Sequence, residues 1–415
     1  MKKAIIFLTV FSLFFTLLSI SVYADDNTTV DIGLFYGSSA KSSVKISYNE
    51  TDITVTADEV SEEVEYGREK ILDEEGNEVE TDSVVSVDGK KYRGSIILRK
   101  NSDGMLTVIN RVDIEDYIAS VTAIEMSPSF NLEALKAQAV CARTYAMKNM
   151  GKHKKYGFDL CSTTDCQAYK GVSAESETTN VAAQETAGQI MTYDGEVIDA
   201  VYSATSGGWT EDVKNVWGSD IPYLAAAEDK YESKDVFGSS WVKEISVEKA
   251  TEIMNDKECD LGTVTDIVVE EQTERGVVTK LKVVGTKGEK VFKRESCRLA
   301  FGSVVLSQAF SVTPIYDDAL KEKMYIYGGK TISGKVSVLS ADGIFDMMID
   351  KASLLGDKPK NFTDKQTLPA TGFVFEGRGY GHLVGLSQNG ANGMAEAGFT
   401  HDEILKHYYK GIELN

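Results

Sequence analysis

Proline, positive charge and long apolar runs are all scarce in this sequence. Only five of its 415 residues are proline, which argues against long proline-rich linkers. Lysine and arginine number 44 against 64 acidic residues, and the formal net charge is -20. Because such a surface repels phosphate backbones, we expect no nucleic-acid partner. With 42% hydrophobic and 26% charged residues, the composition is otherwise that of a globular chain with two or three domains.

One long apolar run is present, and it lies near the first residue. It follows Lys2 and Lys3 and ends at the small residue Ala24. A basic start, an apolar run and a small residue in this order are typical of a secretory signal peptide. We therefore expect residues 1–24 to be removed and the protein to work outside the cytoplasmic membrane, secreted or in the cell wall. Because the run approaches the ~20 residues that span a bilayer, an uncleaved membrane anchor is the alternative.

Cysteine is sparse as well, with five residues in the chain. Disulfides are allowed in an exported protein, and the candidate pairs are Cys161 with Cys166 and Cys259 with Cys297. Cys141 would then be left over. It lies on a predicted helix among alanine and valine, so we expect a buried, unreactive thiol there.

The close pair Cys161 and Cys166 could also bind zinc. Zinc in proteins usually has four ligands, and here only Asp165 and His153 are near in sequence. The expected state of this pair is therefore a disulfide, with no cofactor, and zinc is the alternative.

The apolar pattern predicts an α+β fold. Strand-like alternation fills the region before residue 110, and the Asp-Gly pairs at 88–89 and 103–104 predict hairpin turns with positive φ at both residues. Helical spacing begins near Val112. A later segment predicts a short helix and a further hairpin. The expected parts are an N-terminal β-rich accessory segment (25–90), a helical core with glycine-rich loops (91–243), an inserted or peripheral strand-rich subdomain (244–312) and a C-terminal part (313–415).

The stretch from Ala119 to Met147 contains the strongest candidate for chemistry. One helix is predicted through Ala123, Pro128 ends it, and Asn131 caps the next helix. Glu125 lies between them. Burial between two helices can raise the pKa of a carboxyl group and make it a proton donor. The alternatives are that Glu125 is a surface or capping carboxylate, or that it pairs with Arg143 across the helices.

Two glycine-rich stretches are candidates for ligand binding. The first, TSGGWTE with VWG, carries Trp209 and Trp217, whose indoles suit either stacking on sugar rings or anchoring in the core. Long irregular loops of this kind are usually functional in compact domains.

The second stretch is GRGYGHLVGLSQNG, residues 377–390. Its glycines allow a close approach to an extended ligand. It has no βαβ context, which excludes a dinucleotide site. His382 is either catalytic or fixes the loop by hydrogen bonds, and Ser387 and Gln388 could donate hydrogen bonds to sugar hydroxyls. No GxSxG motif surrounds Ser387, so a serine hydrolase is not expected.

Four motifs in this order resemble the sporulation stage II protein D (SpoIID)/LytB family. They are VTAIEMSPSFNLEALKAQAVCARTYA, DLCSTTDCQAYKG, YSATSGGWTEDVKNVWG and GRGYGHLVGLSQNGANGMAEAG, and the resemblance runs from about Tyr92 to Leu414. The best-known members are peptidoglycan lytic transglycosylases. The resemblance therefore implies cleavage of the β-1,4 bond between N-acetylmuramic acid and N-acetylglucosamine in glycan strands, preferably denuded ones, with formation of 1,6-anhydro ends. The family's catalytic glutamate falls on Glu125 and its arginine on Arg143.

The resemblance also brings together the candidate residues for binding substrate. These are Arg143, Gln167, Tyr169, Ser206, Trp209, Tyr380, His382, Ser387 and Gln388. Family members often carry a histidine where this chain has Asp165, which weakens the zinc alternative. LytB-type members enhance an amidase, so the alternative function is a non-catalytic wall-binding protein. An amidase and other wall-remodelling proteins are the expected partners, in sporulation or in vegetative growth.

Overall fold

The computed structural model describes residues 28–48, 51–72, 78–82, 84–316, 331–340, 343–353 and 370–415. Strands and helices alternate irregularly through these residues, which confirms the α+β fold class. The predicted signal peptide lies outside the described residues. Within these ranges, no helix combines the length and the apolar character needed to cross a bilayer.

The chain forms two compact units. Unit 1 comprises Met1–Glu125, Ala139–Asp199 and Ile412–Asn415, and unit 2 comprises Met126–Gln138 and Ala200–Gly411. These bounds do not coincide with the expected boundaries at residues 90 and 243. The reason is strand pairing, because strand Thr29–Phe35 runs antiparallel to strand Leu106–Asp113. The N-terminal segment therefore shares a sheet with residues that follow position 90.

The strands of unit 1 form several small sheets. The strands are β1 (Thr29–Phe35), β2 (Ser43–Tyr48), β3 (Thr51–Thr56), β4 (Glu63–Tyr66), β5 (Arg68–Leu72), β6 (Glu78–Asp82), β7 (Val85–Val87), β8 (Lys90–Tyr92), β9 (Ser95–Lys100), β10 (Leu106–Asp113), β11 (Leu160–Cys161), β12 (Met191–Tyr193), β13 (Glu196–Val197) and β24 (Glu413–Leu414). Within the described residues, a five-stranded sheet has the order β11-β1-β10-β9-β4, and a four-stranded sheet has the order β3-β2-β7-β8. Two smaller sheets are β13-β12-β24 and β5-β6.

The predicted hairpin turns are confirmed in one case and corrected in the other. Asp88 and Gly89 have φ of 48° and 84° and join β7 to β8, as expected for a two-residue turn. At the second pair only Gly104 has a positive φ, of 78°. The connection from β9 to β10 is a longer loop, closed by a hydrogen bond of 2.8 Å from the backbone N–H of Asn101 to the carbonyl oxygen of Met105.

Two of the helices carry the stretch with the candidate glutamate. The first extends two residues beyond its predicted end at Ala123, and its start is capped by Asp113, whose Oδ1 accepts from the N–H of Glu115 at 2.8 Å. Asn131 caps the second as predicted, accepting from the N–H of Glu133 at 3.0 Å. The helices of the described chain are α1 (Ile114–Glu125), α2 (Leu132–Asn149), α3 (Glu177–Glu185), α4 (Val213–Val216), α5 (Val247–Asp256), α6 (Ser296–Leu299), α7 (Gln388–Glu396) and α8 (His401–Tyr408).

Unit 2 has its own apolar core, in which Phe301, Phe310, Phe373 and Phe375 pack together. Its strands are β14 (Tyr202–Ser203), β15 (Trp241–Ser246), β16 (Val264–Gln272), β17 (Val278–Gly285), β18 (Gly288–Lys293), β19 (Phe310–Tyr316), β20 (Thr331–Ser340), β21 (Gly343–Ser353), β22 (Ala370–Gly377) and β23 (Leu386–Ser387). Within the described residues they form sheets with the orders β15-β22-β19, β16-β17-β18, β14-β23 and β20-β21. The predicted short helix and hairpin are present as α5 and β16–β17.

Candidate active site

Glu125 is the last residue of helix α1 and is partly exposed to solvent. Three exposed residues follow almost at once, Ser127, Pro128 and Ser129, and the hydroxyls of the two serines lie 2.8 Å apart. Glu125 therefore lies at a helix end, next to a turn that is open to solvent.

The alternative in which Arg143 pairs with Glu125 is wrong. Arg143 is fully buried in unit 1, and its Nε donates to Oε1 of Glu115 at 2.8 Å while its Nη2 donates to the other oxygen. Its guanidinium also donates to the carbonyl oxygens of Ala183 and Gln189, at 3.2 Å each. A guanidinium enclosed in this way supports a structural role for Arg143, and its expected role in substrate binding stays a prediction. Its acidic partner is Glu115.

Gln167 and Tyr169 are also structural rather than substrate-binding residues. They are 2% and 5% exposed. The hydroxyl of Tyr117 donates to Oε1 of Gln167 at 3.2 Å, and the hydroxyl of Tyr169 donates to Oδ1 of Asn110 at 2.7 Å. These bonds tie the loop after β11 to helix α1 and strand β10. Burial raises the pKa of Tyr169 well above its usual value, so its hydroxyl stays a neutral donor.

The disulfide predictions are not met. All five cysteines lie in the described residues and are free thiols. Cys259 is partly exposed, whereas Cys297 is buried and burial raises the pKa of its thiol to about 12. Cys141 is buried, as predicted.

Cys161 and Cys166 belong to a compact group of four potential metal ligands. His153 and Asp165 complete it, and the ligand atoms all lie within 4.8 Å of one another. Nε2 of His153 is 3.1 Å from Oδ2 of Asp165. The hydrogen bond between the two cysteines lowers the pKa of Cys161, which favours a thiolate there, and raises the pKa of Cys166. Two sulfurs, one imidazole and one carboxylate are a donor set that fits zinc.

In unit 2, Ser206 and Ser387 converge on a carboxylate that the sequence did not single out. Glu232 accepts hydrogen bonds from the backbone N–H of Ser206 at 2.7 Å, from the N–H of Gly207 at 2.8 Å and from the hydroxyl of Ser387 at 2.8 Å. Both serines are fully buried. These contacts support a structural role, in which their hydroxyls and backbones hold the two glycine-rich loops in place, and the expected contact with sugar stays a prediction.

A second buried acid adjoins Glu232. Asp229 is 2% exposed, and its Oδ2 accepts from the hydroxyl of Ser206 at 2.8 Å. Burial raises the pKa of Asp229, and burial together with the charge of Asp229 raises the pKa of Glu232. Two carboxyl groups in this relation retain a proton between them to a higher pH than isolated acids would. The apolar periodicity of the sequence did not indicate these two acids, because both lie in an irregular segment.

His382 and Gln388 have structural contacts as well. Nδ1 of His382 accepts from the N–H of Val384 at 3.1 Å, and its ring packs on Trp217 with centroids 5.0 Å apart. Burial lowers the pKa of His382 to about 4, so the ring is neutral at pH 7 and its loop-fixing role is the one the contacts support. Gln388 is 7% exposed and donates to Oε1 of Gln138 at 3.3 Å.

The predicted binding residues that do face solvent are aromatic. Trp209 is 40% exposed and Tyr380 is 43% exposed. Phe237, which the sequence analysis missed, is 70% exposed. Little in the sequence pointed to Phe237, because it is a lone aromatic residue in a polar segment. Trp217, partly exposed, is held by a hydrogen bond of 2.7 Å from its Nε1 to Oε2 of Glu295.

Comparisons with known proteins support the resemblance to the SpoIID family. Residues 102–193 match the family model described as stage II sporulation protein (SpoIID), and residues 224–331 match a domain of unknown function. An uncharacterized protein of Brachyspira hyodysenteriae is 29% identical over 82% of this chain and 76% of its own length. The stage II sporulation protein D of Bacillus subtilis is 29% identical over 74% of this chain and 76% of its own length. The amidase enhancer of Bacillus subtilis is 29% identical over 80% of this chain, which spans only 45% of that protein.

Proposed function

We propose, from the premise that residues 102–193 of this chain form a domain of the SpoIID family, that the protein is a peptidoglycan lytic transglycosylase. It would act outside the cytoplasmic membrane, secreted into the cell wall, on glycan strands and preferably on denuded ones. The bond cleaved is the β-1,4 linkage between N-acetylmuramic acid and N-acetylglucosamine. Sporulation and vegetative wall turnover are both processes that such an activity would serve.

The proposal rests on the contacts that the acidic side chains of helix α1 make. Glu115 is committed to Arg143, Asp113 caps the helix, and Asp116 lies 3.6 Å from Arg93. Glu125 is the partly exposed acid at the opposite end of this helix. Because the other acids of this helix are engaged elsewhere, the arrangement supports a mechanism in which Glu125 acts alone. A retaining glycosidase would instead use a second carboxylate about 5 Å away as nucleophile.

One carboxyl group is sufficient for the proposed reaction. Protonated Glu125 donates its proton to the glycosidic oxygen as the bond to C1 of N-acetylmuramic acid breaks. The resulting carboxylate takes the proton of the C6 hydroxyl of the same sugar, and the C6 oxygen attacks C1. The products are a 1,6-anhydro end and a free hydroxyl on N-acetylglucosamine. Glu125 is protonated again, and no water is consumed.

The test is to incubate the purified protein with denuded glycan strands and to analyse the ends by mass spectrometry. We expect anhydro ends with the wild type and a loss of at least 100-fold with Glu125→Gln, the scale of a general acid–base contribution. Glu177→Gln is the matched control, since Glu177 is an exposed glutamate of the same unit. Anhydro ends that persist in Glu125→Gln contradict the proposal, and reducing ends in their place identify a hydrolase instead.

The second candidate function is enhancement of an amidase without cleavage of glycan. The similarity to the amidase enhancer over 80% of this chain favours it. Under this alternative the protein binds glycan strands and an N-acetylmuramoyl-L-alanine amidase. Stimulation of a purified amidase by wild type and Glu125→Gln alike, without anhydro ends in either reaction, is the outcome that this alternative predicts.

Zinc is proposed as a structural ligand of unit 1. His153, Cys161, Asp165 and Cys166 would hold it, because their donor atoms already lie within 4.8 Å of one another. A structural zinc stabilises the fold that presents its ligands. The metal supplies no chemistry to the proposed reaction.

A further inference from the structure

Phe237 and Tyr380 form an exposed aromatic pair on unit 2. Their ring centroids are 5.5 Å apart and the planes meet at 86°. Phe237 is 70% exposed and Tyr380 43%. Large aromatic side chains normally contribute their area to a core or an interface, so a pair that leaves this much of both rings in solvent is a candidate contact surface.

The backbone holds this pair in a fixed geometry. The hydroxyl of Thr205 donates to the carbonyl oxygen of Phe237 at 3.1 Å. The backbones of Thr205 and Tyr380 exchange two hydrogen bonds, of 2.8 and 3.3 Å. Gly238 has φ +87°, and a Cβ there would lie 2.7 Å from Cβ of Tyr380. Three loops are thus joined directly beneath the rings, and little ordering entropy remains to be lost when a ligand binds.

We propose that Phe237 and Tyr380 are a sugar-stacking site, where the apolar C–H face of an N-acetylated pyranose ring of the glycan strand lies against the aromatic rings. The inference rests on the proposed function and extends it to Phe237, a residue that no motif includes. Two short polar side chains lie close to Phe237 in the chain, Ser233 and Ser240, and both are exposed. Such groups suit the hydroxyl and acetamido groups at the rim of a sugar.

The size of the pair favours a sugar over a protein partner. A stable protein interface buries about 800 Å² on each side, whereas two partly exposed rings offer only a fraction of the 150–250 Å² that an aromatic side chain can bury. A pyranose face matches two rings in size. The described surface around the pair carries Lys234 and Asp235, both exposed, and charged residues are depleted from the cores of protein interfaces.

The test measures sedimentation of the protein with isolated peptidoglycan sacculi, in the Glu125→Gln background so that the glycan is not degraded. Phe237→Ala is expected to weaken binding about tenfold, which corresponds to the ~1.4 kcal/mol of an aromatic contact. Phe237→Tyr keeps a ring and is expected to bind within about twofold of the parent. Leu299→Ala is the matched control, since Leu299 is 49% exposed in the same unit, and it should bind as the parent does.

The outcomes separate this inference from the proposed function. Binding of Phe237→Ala at the parent's affinity, or equal losses in Phe237→Ala and Leu299→Ala, overturns the stacking site while the formation of anhydro ends by the wild type still supports the enzyme. Weakened binding of Phe237→Ala with no anhydro ends in the wild type supports the stacking site and overturns the transglycosylase. A loss of amidase binding in Phe237→Ala with unchanged sacculus binding overturns the sugar as the occupant. Unchanged melting temperatures in all variants exclude misfolding, as expected for residues on the surface.

Discussion

Arg143 is the residue whose environment differs most from its expected one. The sequence placed it on a helix after Glu125, and a contact across the two helices followed from that spacing. The structure instead uses Glu115, near the start of the same helix that ends at Glu125, together with two backbone carbonyls. Helical spacing predicts which residues share a face. It does not predict which of several acids a buried guanidinium reaches, because that depends on packing against α3.

The Glu115–Arg143 pair is predicted to support the stability of unit 1. Arg143→Ala leaves the carboxylate of Glu115 without its buried partner, and such losses cost about 3–5 kcal/mol of unfolding free energy. Arg111→Ala is the control, because the pair of Arg111 with Asp31 is about a third exposed on the arginine side and should cost about 1 kcal/mol or less. Urea denaturation followed by circular dichroism measures both. Equal stability of Arg143→Ala and wild type, with a loss of activity, would support the substrate-binding role.

For other residues too, contacts between neighbours in the chain could be predicted, and contacts between distant residues could not. Asn131 was correctly predicted as a helix cap, because a cap depends on residues two or three positions away. The contact of Ser387 was not predicted, because its partner Glu232 lies 155 positions earlier in the chain. The sequence therefore predicted the local setting of Glu125, close to the end of a helix. It could not tell which polar residues of the glycine-rich loops face inward.

At the scale of elements, the two glycine-rich loops of unit 2 owe their arrangement to one pair of acids. Glu232 binds the loop at Ser206 and Gly207, and through Ser387 it binds the start of helix α7. Asp229 adds the hydroxyl of Ser206. Hairpins, by contrast, were predictable from the Asp-Gly pairs alone, except at residues 103–104. There the loop closes through Asn101 and Met105, and only the glycine adopts a positive φ.

The acid pair is predicted to make unit 2 less stable as pH rises. Burial raises the folded-state pKa of Asp229, and burial together with the charge of Asp229 raises that of Glu232. Their stabilisation is therefore fully present below the pKa values of about 4 that these acids have when unfolded, and it is lost as pH rises through the folded values. Asp229→Asn imitates the protonated acid and should raise the melting temperature at pH 7.5, with a smaller dependence on pH.

Asp212→Asn serves as the control for this prediction. Asp212 lies 2.6 Å from Arg275, so its substitution removes an ion pair and is expected to lower the melting temperature. Calorimetry from pH 4.5 to 8 compares the three proteins. A melting temperature of Asp229→Asn that stays below the wild type at pH 7.5 contradicts a protonated pair.

At the scale of the whole molecule, the effect of zinc on the melting temperature should distinguish the two units. The proposed zinc ligands all lie in unit 1. A ligand that binds only the folded form stabilises it by about 2.7 kcal/mol at a free concentration of 100 times its Kd. Zinc added to metal-free protein is therefore expected to raise the melting temperature of unit 1 and to leave unit 2 unchanged, with one zinc bound per chain by elemental analysis.

Cys166→Ser should abolish this shift, because it removes one of the two sulfur ligands. Cys259→Ser is the matched control, since Cys259 is a thiol of unit 2 that belongs to no ligand group in the described residues. An unchanged melting temperature of the wild type in zinc contradicts the site. A shift that survives in Cys166→Ser contradicts the ligand set.

The final strand of unit 1 also constrains how the chain matures. Glu413 and Leu414 pair with β12, and the amide of Asn415 donates to the hydroxyl of Thr192, 223 positions earlier, at 2.7 Å. Pairings of such separation close late, since the intervening chain must first be ordered. During synthesis, β12 would therefore keep one edge uncovered until residues 412–415 have emerged. Chaperones and proteases that recognise unpaired strand edges would have access to unit 1 throughout that interval.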